Sequence, residues 1–229
     1  MERSELCPER VIDLPELRDR EGVFKDRADA GRLLAELMAP LPGSGALVLA
    51  IPAGGVPVAV PLARELGLEL DVAVVSKITL PWNTEAGYGA VAFDGTVRIN
   101  EPLRESVGLS DADVQRGIAA TREKVARRVR ELRGDRPLPE VTGRSVILCD
   151  DGLASGFTMM TAAHAVRAAG AQAVIVAVPT AHDDAIRRIS GDVDCVYCCN
   201  VRGGYRFAVA SAYRHWRDVT LAEARGLLI

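Results

Sequence analysis

The stretch that decides the fold runs SVILCDDGLASGFTMM, residues 145–160. Its opening, SVILCD (145–150), is a short apolar run closed by a carboxylate, the pattern of a strand buried on both faces. A helix is read from near Phe157 through Ala169, so the residues between them join a strand end to a helix start. Gly152, Ala154, Ser155, Gly156 and Thr158 are small or carry hydroxyls, which lets the backbone wrap tightly. The helix beginning near Phe157 presents free N–H groups to an anion, and such a loop is a phosphate cradle. Asp150 and Asp151 would repel that phosphate; they suit ribose hydroxyls, or a polyol carrying Mg²⁺, next to it. A phosphate and a sugar diol held side by side describe a pentose 5-phosphate.

Outward from this stretch the chain alternates strand and helix. ALVLAI (46–51) and DVAVVS (71–76) precede it as buried strands, and AVIVAV (173–178) and DVDCVYCC (192–199) follow it. Helices are expected over 26–38 with Asp26 as N-cap, from the PAGGVP turn to about Leu66, over 110–133 opening on Ser110 and Asp113, and from about Asp183. The segment KITLPWNTEAGYGAVAFDGTVRIN (77–100) breaks the rhythm and reads as a long loop with a hairpin near Phe93–Thr96. Continuous apolar strands between helices predict an α/β fold, a parallel sheet of about five strands flanked by helices, with ligands at the carboxyl ends of the strands.

Composition agrees with an ordinary globular chain. The 229 residues are 48% hydrophobic and 26% charged, enough to bury a core without staples. A formal net charge of −3 lacks the basic face that nucleic-acid binding requires. No window reaches the ~18 apolar residues of a membrane span, and MERSELCPER has no signal-like apolar core. The cysteines, Cys7, Cys149, Cys195, Cys198 and Cys199, are odd in number and clustered late, which predicts reduced thiols and a cytoplasmic protein. Cys195 and Cys198 have zinc-like spacing without a second pair, so buried thiols are the better reading.

The string from Val146 to Thr158 resembles the phosphoribosyl pyrophosphate (PRPP) motif of the type I phosphoribosyltransferases: two acidic residues and a hydroxyl-bearing loop at the end of a parallel strand. Phe24–Arg27 with Ala30–Arg32, the turn Pro52–Val58, Lys77–Ile78 running to Gly89–Val91, and the region of Ala208, Val209 and Tyr213 resemble the branch labelled predicted phosphoribosyltransferase. The resemblance covers most of the chain and implies a single domain over 1–229, with a hood drawn from parts of 1–30 and 195–229. It implies Mg²⁺-dependent transfer of the phosphoribosyl group from PRPP to an N or O nucleophile of a small acceptor; a non-catalytic PRPP sensor of the same fold is the alternative. A homo-oligomer is compatible with that fold.

By this resemblance Asp150 and Asp151 contact the ribose hydroxyls, and through them a bound Mg²⁺, while Ala154, Ser155, Gly156, Phe157 and Thr158 hold the 5-phosphate. Ala53, Gly54 and Gly55 form the pyrophosphate turn, where glycine lets backbone N–H groups approach, and Lys77 supplies charge to the same group. Residues 78–90 match a mobile loop, with Gly87 and Gly89 allowing movement and Trp82 covering the site. Glu85 is the carboxylate of that loop and is either a general base or a solvent-facing residue. His182 and Asp183 face the acceptor side, or Asp183 is only a helix cap. Phe207, Tyr213 and Trp216 line the hood, or Phe207 and Trp216 pack in the core. Two departures stand out: Ala53 replaces the arginine usual in the turn, and Ala154 stands where purine-salvage relatives carry an Asp.

Overall fold

The computed structural model describes residues 10–39, 45–137 and 139–228, with the side chains of Thr84 and Glu85, and Cys7 altogether, outside the described part. The strands are β1 (Val11–Asp13), β2 (Leu47–Ala50), β3 (Glu69–Val72), β4 (Val75–Leu80), β5 (Asn83–Ala92), β6 (Val97–Ile99), β7 (Ser145–Cys149), β8 (Ala173–His182) and β9 (Cys195–Arg202). The helices are α1 (Arg27–Met38), α2 (Val56–Leu66), α3 (Glu101–Ser106), α4 (Asp111–Arg133), α5 (Phe157–Ala168), α6 (Asp183–Ile189) and α7 (Leu221–Leu227).

Six strands make one parallel sheet in the order β1-β9-β8-β7-β2-β3. Successive residues of each strand serve opposite faces, as period-two geometry requires. Val48, Ala50, Ile147 and Cys149 pack with α1 and α2 on one face, and Leu47, Leu49, Val146 and Leu148 pack with α5 and α6 on the other. Both faces are therefore dry, which is why these strands read as unbroken apolar runs. β1 is the added strand: three half-buried residues at the edge give no apolar run, and it is held by pairing with β9.

The expected strand 71–76 is divided. Asp71 and Val72 end β3 in the main sheet, whereas Val75 and Ser76 begin a second, antiparallel sheet, β4-β5-β6. Residues 78–80 and 83–90 are accordingly strand, joined by a turn at 81–82, rather than a long loop. Gly89 is explained by packing, not by motion: a Cβ there would collide with the Arg98 carbonyl oxygen. Trp82, at the hairpin tip, is 65% exposed. Among the cysteines, Cys149, Cys198 and Cys199 are buried free thiols, but Cys195 is disulfide-bonded, which corrects the expectation that the thiols are all reduced.

α4 opens on a capping box between Ser110 and Asp113 and rides over the β4-β5 hairpin. Gly117 allows the close approach, since a Cβ would collide with the Tyr88 hydroxyl. The far end is tied to the main sheet by Arg133, 1% exposed, whose Nη1 lies 3.1 Å from Asp71 Oδ1 without hydrogen-bond alignment. Charge rather than directed bonding holds this end, and burial lowers the affinity of Arg133 for its proton while Asp71 opposes that. Asp71→Ala is expected to cost about 3 kcal/mol because the guanidinium would be left buried and unpaired; urea denaturation measures it, and a loss under ~0.5 kcal/mol, the range of neutral surface changes, would contradict the assignment.

Candidate active site

β2 and β7 end level, Ala50 being the register partner of Cys149. The turn after β2 therefore meets the loop after β7. Two glycines make the meeting possible: a Cβ on Gly54 would collide with Asp151 Oδ2, and one on Gly55 would lie 2.6 Å from the carbonyl oxygens of Ile51 and Cys149. The Pro52–Ala53 peptide within this turn is cis.

Asp151 is held from the far side of the chain. Arg27 Nε donates to its carboxylate at 2.8 Å, and the Tyr213 hydroxyl donates to its carbonyl oxygen at 2.5 Å. Arg27 also donates to the Arg217 carbonyl at 2.8 Å and stacks 3.8 Å from the centroid of Trp216. Asp151 is thus already an ion-pair partner, whereas Asp150 faces an open cavity. Burial pushes the Asp150 carboxyl well above the usual range, and the neighbouring Asp151 charge adds to it; the bond accepted from Asp151 N–H at 2.8 Å opposes both. Burial also raises Asp151, with Arg27 pulling it back.

The loop that follows is stitched to β8: Leu153 N–H donates to Thr180 and His182 N–H to Leu153, each at 2.9 Å. Gly156, at φ 81°, turns the chain into α5, whose N-terminus has neither a side-chain cap nor an acidic residue in its first turn. Ser155 Oγ lies 3.4 Å from Phe157 N, a weak contact. Ala154 and Ser155 are exposed, Phe157 and Thr158 half-buried. The helix end is left available to an anion.

A cavity of about 240 Å³ brings these parts together, lined by Pro52, Lys77, Asp150 and Thr158 and, from α4, by Lys124 and Arg128. Lys77 sits within β4 rather than at a strand end of the main sheet, and its stem passes over Gly87. His182 and Asp183 are not part of this lining. His182, not Asp183, is the N-cap of α6: Nδ1 accepts from Asp184 N–H at 3.1 Å and Nε2–H donates to the Gly204 carbonyl at 2.9 Å, so both ring nitrogens are engaged. Glu85 lies on β5, with its side chain outside the described residues.

The model of the phosphoribosyl transferase domain family matches residues 24–212. The chain belongs to the phosphoribosyl transferase family. It is 37% identical over 206 residues to Mycobacterium tuberculosis proteins named as candidate phosphoribosyl transferases; the match takes in 90% of this chain and 46% of theirs, so the chain spans about half the length of these relatives. It is also similar to the crystal structure of TT1426 from Thermus thermophilus, at 36% identity and a TM-score of 0.74, covering 90% of this chain and 97% of that one.

Within this phosphoribosyl transferase fold, sequence reading placed Arg27 in a family-like segment without a role and missed Lys124 and Arg128. Lys124 and Arg128 stand one helical turn apart beside the apolar face of Val114, Ile118, Thr121 and Val125. That spacing was legible, but a charged 23-residue helix gave no sign of which of its basic residues faces inward.

The division of labour between the carboxylates has opposite consequences for stability. A carboxyl whose pKa is raised by folding destabilises the protein at pH 7, and that penalty disappears as pH falls below its unfolded value. Asp150→Asn should therefore gain on the order of 1 kcal/mol at pH 7 and nothing in acid, whereas Arg27→Met should lose about 3 kcal/mol by stranding Asp151. Denaturant titrations at both pH values check this; a destabilised Asp150→Asn at pH 7 would reverse the assignment.

Proposed function

We propose that this phosphoribosyl transferase domain moves the 5-phosphoribosyl group of PRPP, with Mg²⁺, onto an N or O nucleophile of a small acceptor and releases pyrophosphate. The observation that carries this reading is the level ending of β2 and β7, which brings Asp150, Thr158 from the first turn of α5 and Pro52 from the turn after β2 to one cavity.

In the reaction the anomeric C–O bond breaks with its electron pair departing on pyrophosphate. The acceptor atom bonds to the same carbon and gives up its proton. The residues 154–158 hold the 5-phosphate through backbone N–H groups and the Ser155 and Thr158 hydroxyls. Asp150 accepts from the ribose hydroxyls, and Asp151, locked by Arg27, fixes the backbone from which Asp150 projects. Gly54 and Gly55 leave the turn free of side chains, and Lys77 adds positive charge from the hairpin. Asp150 also fits Mg²⁺, being a carboxylate without an ion pair among the described residues; the ion, bound with the diphosphate, would supply further charge neutralisation there. Glu85 is the hairpin carboxylate that takes the acceptor's proton in this reading. The acceptor approaches from the side where 10–27 and 200–217 lie together, joined by Gly22 to Ser211, Phe24 to Ala212 and Arg214 to Phe24.

Calorimetric titration with PRPP, with and without Mg²⁺, tests the reading. Saturable binding strengthened by Mg²⁺ is expected, and absence of binding under both conditions would overturn it. Lys77→Ala should weaken pyrophosphate by about tenfold, the scale of one charge-assisted contact, and ribose 5-phosphate far less; equal losses would remove Lys77 from the pyrophosphate site.

A further inference from the structure

Lys124 and Arg128 are half-buried on the inward side of α4 and line the cavity that holds Asp150, Thr158, Pro52 and Lys77. They come from a helix that packs on the β4-β5 hairpin and is tied at its far end by Arg133 against Asp71. Arg128 is further fixed to the hairpin, its Nη1 donating to Ser76 Oγ at 3.3 Å. The two are therefore placed groups, not solvated surface charges.

Neither has an ion-pair partner among the described residues, although the same helix pairs Arg116 with Asp113 and Arg127 with Glu131. Among the described residues the charges acting on Lys124, beyond burial, are those of Arg128, Arg127 and Lys77, and they lower its hold on the proton. Arg128 is lowered too, by burial and Arg127, with Glu131 opposing weakly from the helix surface. Asp150 shares the cavity, but the charges that act on it are Asp151 and Arg27. Desolvating like charges next to each other is costly unless an anion arrives to pair with them.

Resting on the reading above, we infer that Lys124 and Arg128 bind the diphosphate of the donor and of the released product. Their cavity touches the Pro52 turn and the end of α5 together, so an anion seated there lies beside both predicted phosphate-holding segments. The demand fits a compact anion: Lys124 and Arg128 line a volume of about 240 Å³ in which Asp150 is the carboxylate among the described residues. The neutralisation of the leaving group thus comes from a rigid helix as well as from the hairpin, and it is strongest where negative charge grows as the C–O bond breaks.

The full chain with Lys124→Met, Arg128→Met or both is compared with wild type by thermal unfolding and by titration with inorganic pyrophosphate, ribose 5-phosphate and PRPP. Each single replacement is expected to weaken pyrophosphate about tenfold, as for loss of one charge-assisted contact. Ribose 5-phosphate should change little. Without ligand the double variant should be at least as stable as wild type, because the uncompensated charges are gone, yet its melting point should no longer rise with added pyrophosphate. Arg128→Lys, which keeps the charge, should retain most of the pyrophosphate shift and guards against loss of packing as the cause. An unchanged pyrophosphate affinity in the double variant would overturn the inference, and so would equal loss of ribose 5-phosphate. Failure of wild type to bind PRPP while pyrophosphate binding still depends on both residues would sink the transfer reading and leave the anion site standing.

Discussion

The ion pair between Arg27 and Asp151 is the interaction on which the rest of the site depends. It joins the first helix to the loop after β7, across 124 residues of sequence, and it does so under the Pro52–Gly55 turn. The carboxylate is packed against the Cα of Gly54, so the turn, the loop and the helix fix one another's positions. Trp216 and the Arg217 carbonyl hold the other side of the guanidinium, and Tyr213 holds the Asp151 backbone. One buried pair therefore recruits the C-terminal segment to the same point. Such a pair gains little over apolar packing in net stability, but it forbids alternatives, since any other arrangement leaves a charge buried alone.

That constraint explains how much of the molecule was legible beforehand. The loop 150–158 could be read because its chemistry is local: strand, carboxylates, small residues and helix start follow one another in the chain. The helix starts at Asp26 and Ser110 were legible for the same reason, each cap accepting from an N–H three residues on. The roles of Arg27 and Arg128 were not, because the partner that gives each its meaning lies far along the chain. The separation between β3 and β4 was hidden too. Asp71 to Ser76 is apolar enough for one strand, and only the pairing of Val75 and Ser76 with Ala92 and Val91 shows that the chain has changed sheets.

Gly87 and Gly89 carry a related lesson. In sequence they look like hinges; in the structure their missing side chains admit the Lys77 stem and the Arg98 carbonyl. Glycine marks either freedom or close approach, and neighbours decide which. The hairpin that they occupy is a paired ladder whose register shifts between Ile78 and Leu80.

The electrostatics of the cavity follow from the same architecture. Burial drives Asp150, Lys124 and Arg128 toward neutrality, yet among the described residues they form no ion pair with one another: Asp150 answers to Asp151 and Arg27, and Lys124 to other cations. A protein selected only for stability would collapse these charges into pairs or replace them with apolar residues. Keeping them apart on a strand end and a helix leaves one cavity lined by groups of both signs, its two poles. A ligand with hydroxyls at one end and phosphates at the other meets both poles at once, and the free energy withheld from folding is then recovered on binding.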